Sequence, residues 1–383
     1  MPLCTNRPQP EPVSGRHDGM SQAKMTVSTS SLKWLVTIFF LFSLIVLLPE
    51  QPRPESPSVR RNPFLKTEHT LILVGDIMLS RGVDFSMKRR GYLYPFKNVA
   101  WITNSAEITF GNLESPLSSR GERGDQTYSF RANPESVKGL VYAGFKVLNL
   151  ANNHSYDYGK KAFEQTLEVL NKNNIKVIGA GKNVTEARKP ATFDLGDLKI
   201  AFLGYDLSPG AFPAGQDHRG VAKARHAWII KDLEKVKESA DFIVVSFHWG
   251  IEYRDFPTEY QKSLAHMAID CGADIVVGHH PHTFQGIEIY RGKLIAYSLG
   301  NFVFDQRDLR NNQSILLRVT FNRERLLRAE IIPIELVTFP RSPIIAEGEM
   351  AKEMLDRLRI DSSIFGTKFT YHNRKGLLQI NEF

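Results

Sequence analysis

Five of the eleven histidines directly follow short apolar segments of the sequence. His154 lies in ANNHSYD, His248 in VSFHWG, and His279, His280 and His282 lie in GHHPH. Proline stiffens the last turn, so two imidazoles are expected on one side of it. Imidazole nitrogen is a common metal ligand and a common proton donor, so these positions are candidates for metal binding and acid–base chemistry.

Carboxylates and amides occupy equivalent positions after other apolar segments. Asp76 ends LILVGD, Asn112 and Glu114 lie in GNLES, Asn153 precedes the first of the histidines, and Asn301 lies in SLGNF. A ligand set of nitrogen and oxygen without thiolate favours Zn, Mn or Fe over an iron–sulfur cluster, and it is richer in imidazole than Ca or Mg requires. The residue types therefore predict a site for one or two divalent ions.

The segments before these residues are typical of buried β-strands. Seven short runs rich in β-branched residues predict strands at 71–76, 106–112, 145–150, 176–181, 198–206, 241–247 and 273–279. Amphipathic runs between them predict helices, one of which begins with a capping box at Thr258 and Gln261 and ends near Gly272. Alternating strands and helices indicate an α/β architecture, in which the carboxyl ends of strands line the ligand crevice. We therefore expect the candidate residues to converge.

From residue 286 onward the pattern changes to hairpins. Turns are predicted near Arg291-Gly292 and Asn322-Arg323, and we expect an antiparallel sheet there. A further helix is predicted at 347–359.

Residues 34–48 read WLVTIFFLFSLIVLL and are the one strongly apolar segment of the sequence. The following PEQPRPESPSVRRNP has no small-residue cleavage pattern, so an uncleaved membrane anchor is favoured over a cleaved signal peptide and over a buried helix. Basic residues before the segment favour a cytoplasmic N-terminus and an extracytoplasmic main domain. We predict a tail at 1–31, the anchor at 32–48, a Pro-rich linker at 49–67, a main domain at 68–306 and C-terminal strands and a helix at 307–383.

Composition excludes several classes of protein. With 42% hydrophobic and 23% charged residues the chain of 383 residues is neither fibrous nor disordered, and two cysteines cannot build a disulfide scaffold. The net charge of +8 is compatible with an acidic partner but is a weak indication of one. Because aromatic and basic residues do not alternate along the chain, nucleic acid is not an expected partner.

The order of these motifs resembles a known family. GDIMLSRGV, FGNLESPL, GFKVLNLANNHSYDYG, VSFHWGIEY and VGHHPHTFQGIEIYRGKLIAYSLGNFVFD, spread over about residues 69–305, are similar to capsule-biosynthesis proteins of the CapA or poly-γ-glutamate type. That family is similar in turn to calcineurin-like metallophosphoesterases. The resemblance implies a four-layer α/β/β/α sandwich of two mixed sheets with a metal site at the strand ends. It also implies a membrane-attached protein that acts on an acidic polymer, with further subunits of a synthase or exporter as possible partners.

The resemblance also implies roles for individual residues. His154 matches the residue that orients or protonates a leaving oxygen, and Asp76 matches a catalytic aspartate that also binds metal. The implied metal ligands are Asp76, Glu114, Asn153, His248, His280 and His282, with the last two on different ions. Such a pair of ions would activate water for attack on a phosphoester or on an amide such as a γ-glutamyl bond, and the sequence does not separate these reactions.

One position departs from the phosphoesterase pattern. Met78 stands where those enzymes have a histidine, and a thioether is a poor ligand for a hard divalent ion. One metal position is therefore under-liganded unless Glu114 bridges or His279 substitutes. This departure favours an alternative, a non-catalytic subunit of a polymer synthase or exporter with a degenerate site.

Two arginines near the motifs are candidates for binding an acidic substrate. Arg81 and Arg131 have the planar guanidinium that holds a carboxylate or phosphate by two hydrogen bonds, although solvated surface arginines explain them equally well. Trp249 and Tyr253 either form a wall beside a chain substrate or pack in the core.

Overall fold

The computed structural model describes residues 68–306, 309–337, 342–372 and 375–380. The predicted tail, anchor and linker at 1–67 lie outside the described residues. Within the described ranges, no helix is long and apolar enough to cross a membrane.

The described part of the chain contains eighteen strands. In chain order they are β1 (His69–Ile77), β2 (Ile108–Leu113), β3 (Phe145–Asn149), β4 (Lys176–Ile178), β5 (Ala180–Gly181), β6 (Ala191–Asp194), β7 (Lys199–Asp206), β8 (Gly220–Val221), β9 (Phe242–His248), β10 (Ile275–His279), β11 (Ile287–Tyr290), β12 (Lys293–Ala296), β13 (Asn301–Val303), β14 (Gln313–Phe321), β15 (Leu326–Leu336), β16 (Pro343–Ile345), β17 (Phe369–His372) and β18 (Lys375–Leu378). Each of the seven predicted strands overlaps an observed one.

The α-helices of the same ranges are α1 (Arg81–Arg90), α2 (Ala100–Thr103), α3 (Val137–Tyr142), α4 (Gly159–Lys172), α5 (Val184–Ala187), α6 (His226–Val236), α7 (Glu259–Asp270) and α8 (Gly348–Ser363). The capping box predicted at the start of α7 is present, because the Thr258 side chain accepts from the Gln261 backbone and the Gln261 side chain accepts from the Thr258 backbone. Gly272 follows the end of this helix with φ +113°, a conformation that glycine tolerates.

The strands form two large mixed sheets. The larger sheet has the order β17-β18-β15-β14-β1-β2-β3-β4, with β13 paired to β1 and β16 to β15. The second sheet has the order β11-β12-β10-β9-β7-β6, and β5 and β8 form a short separate pair. Strands β1 to β4 run parallel, as do β7, β9, β10 and β12. Each sheet therefore carries parallel strand ends on which a ligand site can be built.

Three buried apolar clusters define the layers. One cluster joins the inner faces of both sheets, for example Phe110 of β2 with Phe202 of β7, and it includes Leu355 of α8. A second joins the outer face of the larger sheet to α1, α3 and α4. A third joins the outer face of the second sheet to α6 and α7. The chain is thus a mixed α/β protein whose two main sheets pack together and carry helices outside.

The expectation of a wholly antiparallel region after residue 286 was wrong in part. The predicted hairpins β11–β12 and β14–β15 are antiparallel, with turns at Arg291-Gly292 and after Asn322. However, β12 pairs in parallel with β10, and β13 pairs in parallel with β1. The reason is that the chain passes from the second sheet to the larger one between β12 and β13, so these strands join parallel neighbours that hairpin periodicity does not reveal.

Candidate metal centre

Strand ends from both sheets carry the candidate ligands. Asp76 lies near the end of β1, beside Asn112 of β2 and Asn301 of β13. In the second sheet His248 ends β9 and is in register with His279, which ends β10. The expectation that parallel strands deliver these residues to one region therefore matches the observed geometry.

A glycine permits the close approach of β1 to the chain before β13. A Cβ atom on Gly75 would lie 1.8 Å from the carbonyl oxygen of Gly300, far inside contact distance. That same oxygen accepts a hydrogen bond of 2.9 Å from the Asp76 backbone. Gly75 thus allows the carboxylate that follows it to be fixed in position.

The turn after β10 has an unusual backbone. His280 has φ +95° and His282 has φ +58°, values in the left-handed region that non-glycine residues seldom adopt. The turn is held because Asp76 Oδ2 accepts from the His280 backbone at 3.3 Å and His282 Nδ1 lies 3.0 Å from Asn301 Oδ1. Strain of this kind is common where side-chain direction serves a site.

Glu114 lies at the centre of the cluster and is completely buried. Its Oε1 atom has no hydrogen-bond partner, yet it lies 3.7 Å from His282 Nε2 and 3.9 Å from the Nε2 atoms of His154 and His248. These separations are too long for hydrogen bonds. They suit ligand atoms that share a cation, each about 2.0–2.2 Å from it. The orphaned carboxylate oxygen and its imidazole neighbours therefore fit a divalent ion.

Three groups of side chains offer ligand atoms that all lie within 4.8 Å of one another. They are Glu114 with His248 and His280, Asp76 with Glu114 and His282, and Glu252 with His280 and His282. Glu114 belongs to the first two groups. Of these two, the first contains His280 and the second contains His282. This arrangement is compatible with the predicted separation of the two histidines and with a bridging role for Glu114.

Amides surround the cluster. Asn153 Oδ1 lies 2.9 Å from His248 Nε2, so the predicted amide ligand contacts a predicted imidazole ligand. Asn112 Nδ2 donates to Asp76 Oδ1 at 2.9 Å, and Asn112 Oδ1 accepts from Asn149 and Asn152 at 3.0 and 3.1 Å. Asn112 thus links β1, β2 and the segment after β3, a role that its position in the sequence did not reveal.

His154 is oriented by a nearby carboxylate. Its Nδ1 lies 2.8 Å from Asp157 Oδ2, which also accepts from the Phe130 backbone at 2.7 Å. The imidazole lies against the Phe130 ring, with 4.1 Å between ring centroids. The other nitrogen, Nε2, is directed to the side of Glu114 and can hold or release a proton there.

Burial and charge shift the pKa values of the cluster. Burial lowers the pKa of His280 to about 3, and the nearby His282 adds to this shift. Burial also lowers the pKa of His248, again with a contribution from His280. Both residues therefore stay neutral and able to bind a metal at physiological pH.

The acidic side of the cluster behaves differently. Burial raises the pKa of Glu114 well above its ordinary value, and the charge of Asp76 adds to the rise. Burial would also raise the pKa of Asp76, but hydrogen bonds from His279 and His282 outweigh it and hold that pKa well below its ordinary value. For His282, burial is outweighed by the charges of Glu114 and Asp76, so its pKa rises to about 9. His282 therefore holds a proton near neutrality, which a cation bound at its ring would displace.

A cavity of about 880 Å³ opens beside the cluster. The residues that line it are Arg81, Tyr128, Phe130, His154, Glu252, Tyr253, His282, Phe304, Asp305, Gln306 and Asn311. Arg81, one predicted substrate ligand, is ion-paired with Asp305 at the cavity wall. The cavity gives a substrate access to the predicted acid His154 and to one predicted metal ligand, His282.

The other predicted contacts are placed differently. Arg131 is not among the residues that line this cavity, and its guanidinium lies over the Tyr158 ring, 4.1 Å from the centroid. Trp249 is buried in the core, whereas Tyr253 is 53% exposed and lines the cavity. Core packing therefore applies to Trp249, whereas for Tyr253 the wall beside a substrate stays a prediction.

Met78 and His279 clarify the departure from the phosphoesterase pattern. Met78 is buried, and its sulfur accepts from the Ser80 backbone and hydroxyl at 3.1 Å. His279 Nδ1 instead lies 3.3 Å from Asp76 Oδ1.

The sequence did not point to Glu252, although this residue stands only four positions after His248, a spacing that could have drawn attention to it.

These features define a two-sheet α/β protein with a buried cluster of histidines and carboxylates beside an open cavity. Residues 70–306 match the family of bacterial capsule synthesis proteins called PGA_cap, and the chain belongs to this family.

Curated relatives agree with this assignment. The chain is 34% identical over 332 residues to the "PGA biosynthesis protein CapA" of Bacillus subtilis, covering 86% of this chain and 87% of that protein. It is 33% identical over 287 residues to the "Capsule biosynthesis protein CapA" of Bacillus anthracis, covering 72% and 69%. Among solved structures it resembles the NAD nucleotidase of Haemophilus influenzae, with a TM-score of 0.42, 14% identity and coverage of 76% of this chain and 56% of that one.

Proposed function

We propose that this chain is a membrane-anchored, extracytoplasmic protein that acts in the synthesis or export of an anionic capsule polymer of the poly-γ-glutamate type. We further propose that it does so through a metal-dependent hydrolase or transferase site. Support for the polymer comes from family membership and from the names of the two Bacillus relatives. Support for the location comes from the apolar segment at 34–48 and the basic residues before it.

The observation that carries the metal-dependent reaction is the state of Glu114. A fully buried carboxylate oxygen without a hydrogen-bond donor is costly, and it is surrounded by imidazole nitrogens at 3.7 to 3.9 Å. Such an arrangement is difficult to explain as a hydrogen-bonded structural ion pair, since these separations are too long for hydrogen bonds. A divalent cation would satisfy the oxygen and its neighbours together.

The residues that would hold the ions form two overlapping sets. Glu114, His248 and His280 make one set, and Asp76, Glu114 and His282 make the other. The balance of imidazole and carboxylate favours Mn, Zn or Fe. When bound, such ions would polarise a carbonyl or phosphoryl oxygen and supply an activated water.

His154 would supply the proton to the leaving group. Asp157 fixes its Nδ1, so the ring presents Nε2 at the cavity wall. A histidine oriented in this way can donate a proton to a departing amine or alkoxide. Arg81 in the cavity lining would contact an acidic group of the substrate.

The test is metal analysis and turnover of the full-length chain purified in detergent. We expect bound metal, hydrolysis of γ-glutamyl or phosphoester substrates, and loss of both in His280→Ala and His282→Ala. His226→Ala is the matched control, because His226 is exposed on α6 outside the cluster. Unchanged metal content and activity in the two cluster variants would refute the proposal.

A second function is favoured by one observation. The Met78 thioether is occupied by Ser80 and does not complete a ligand set. The chain would then be a non-catalytic subunit of a polymer synthase or exporter that uses the site for binding. This alternative predicts copurification with other membrane proteins and no turnover of either substrate at any metal concentration.

A further inference from the structure

A second cavity adjoins the one beside the metal centre. It has a volume of about 220 Å³ and shares Arg81, Tyr128 and Phe130 with the larger cavity. Its remaining lining residues are Arg123, Thr127, Ser129 and Tyr158. Because the two cavities share one wall, a ligand that extends out of the larger cavity across Tyr128 and Phe130 enters the smaller one.

The two cavities differ in charge. The larger one is lined by Glu252 and Asp305 as well as Arg81. No carboxylate lines the smaller one, and of its two arginines Arg81 is paired with Asp305, so Arg123 supplies its positive charge. Arg123 donates to the carbonyl oxygens of Gln126 and Thr127 at 3.4 and 3.2 Å, and these neutral acceptors do not cancel its charge. The smaller cavity therefore favours an anionic group.

Aromatic rings line the passage between the cavities. Tyr128 is 66% exposed, and the Arg81 guanidinium lies 4.8 Å from the centre of the Phe130 ring. Tyr158, at the far side, carries the Arg131 guanidinium over its ring at 4.1 Å. Apolar ring faces suit the methylene groups of a flexible chain, while stacked guanidinium groups stay oriented for its acidic groups.

We propose that the smaller cavity is a subsite for neighbouring repeat units of an anionic chain whose reacting unit occupies the larger cavity. The ligand class is a polycarboxylate chain, in which a carboxylate on each repeat contacts Arg123 while the chain crosses Tyr128. This inference rests on the proposed function, because it takes the substrate to be a polymer with repeated acidic side groups. It adds the direction in which that polymer leaves the metal centre.

The test is the dependence of affinity on chain length, measured by fluorescence anisotropy with the full-length chain in detergent. The probes are labelled γ-glutamyl dimer and decamer. We expect the decamer to bind more tightly than the dimer, and Arg123→Gln to weaken the decamer about tenfold, the effect of losing one charge-assisted contact, while the dimer is unaffected. Arg123→Lys should retain part of the affinity for the decamer.

The matched control is Arg120→Gln. Arg120 lies in the same segment, is 57% exposed, pairs with Glu168 and does not line either cavity. The Arg120→Gln substitution removes the same charge but outside both cavities, so it should leave the affinity for the decamer unchanged. Equal weakening by Arg120→Gln and Arg123→Gln would reduce the effect to general electrostatic attraction and overturn the subsite.

Two further outcomes separate the subsite from the proposed function. If turnover is present but Arg123→Gln binds the decamer normally, the subsite is wrong and the function stands. If the decamer depends on Arg123 but metal and turnover are absent, the subsite stands and the catalytic proposal fails. A polyphosphate of similar length that binds with the same dependence on Arg123 would overturn the assignment to a polycarboxylate.

Discussion

Strand β1 carries a buried ionisable side chain near each end, and the two have opposite surroundings. At its start, His69 is completely buried, with Nδ1 3.0 Å from Glu107 Oε1 and Nε2 2.6 Å from Asp197 Oδ1. Near its end, Asp76 belongs to a cluster in which Glu114 Oε1 and His280 Nδ1 have no hydrogen-bond partner. Both places combine imidazole with carboxylate, but only the first is satisfied by protein groups alone.

This difference separates a structural cluster from a functional one. The partners of His69 are 29% and 23% exposed, so water solvates the acids and the histidine joins two parts of the fold. Glu114 is fully buried, and its Oε1 atom has no hydrogen-bond partner among the described residues. Polar groups left without partners cost stability and persist where a ligand completes them.

The largest effect is expected from Glu114→Gln. The amide keeps the shape of the side chain but removes the charge that two groups of ligands share. We expect metal affinity to fall more than about 100-fold, since loss of even an outer partner costs 10- to 100-fold. Without metal the variant should be at least as stable as the native chain. Metal analysis and thermal unfolding with and without chelator measure both effects, and a destabilised variant with normal metal content would reverse our interpretation of Glu114.

His69→Ala is expected to lower the stability of the fold without changing its metal affinity. Two hydrogen bonds to charged acceptors are lost from a buried position, so the free energy of unfolding should fall by about 2 to 4 kcal/mol. Metal affinity should not change, because His69 lies at the other end of β1. Urea unfolding gives the first quantity and metal titration the second. A loss of metal without a loss of stability would break the comparison.

A change of pH is expected to have a smaller effect on metal affinity. Without a cation His282 has a pKa of about 9 and carries a proton near neutrality, which a metal bound at its ring must displace. The raised pKa of Glu114 acts in the same direction. Metal affinity should therefore fall as pH falls, about tenfold per unit for each proton displaced. His280, with a pKa of about 3, contributes nothing to this dependence near neutrality.

Calorimetry with Mn²⁺ in buffers of different ionisation enthalpy counts the protons released. Without metal, the raised pKa of His282 stabilises the fold at pH below about 6.5, and this contribution is lost as pH rises through about 9. Binding that is independent of pH and releases no protons would place the ion outside this cluster.

Much of the fold follows from local patterns. Buried strands such as β9 and β10 are continuous apolar runs, and α7 carries its capping box in the sequence. The parallel pairings of β12 with β10 and of β13 with β1 were missed, because neither β12 nor β13 is longer than four residues and these partners are not adjacent in sequence. Pairing between distant strands depends on tertiary packing and leaves no local period.

The site was predictable as a set of strand ends but not as a geometry. Register irregularities around Asp76 and the positive φ of His280 and His282 decide where these side chains lie, and none of them is encoded by a residue type that demands it. For the same reason the central position of Asn112 and the nearness of Glu252 were missed. Whether the predicted ligands bind metal stays a prediction.

Strand β1 lies between β2 on one side and β14 on the other, with His69 opposite Phe321. The neighbour β14 thus comes from a part of the chain more than two hundred positions after β1. It lies beyond residues 70–306, which match the family. A fragment cut at that limit would expose a bare apolar strand edge prone to pairing with other copies. The nascent chain faces the same exposure until β14 emerges, so completion of the larger sheet must wait for synthesis of the C-terminal part of the chain.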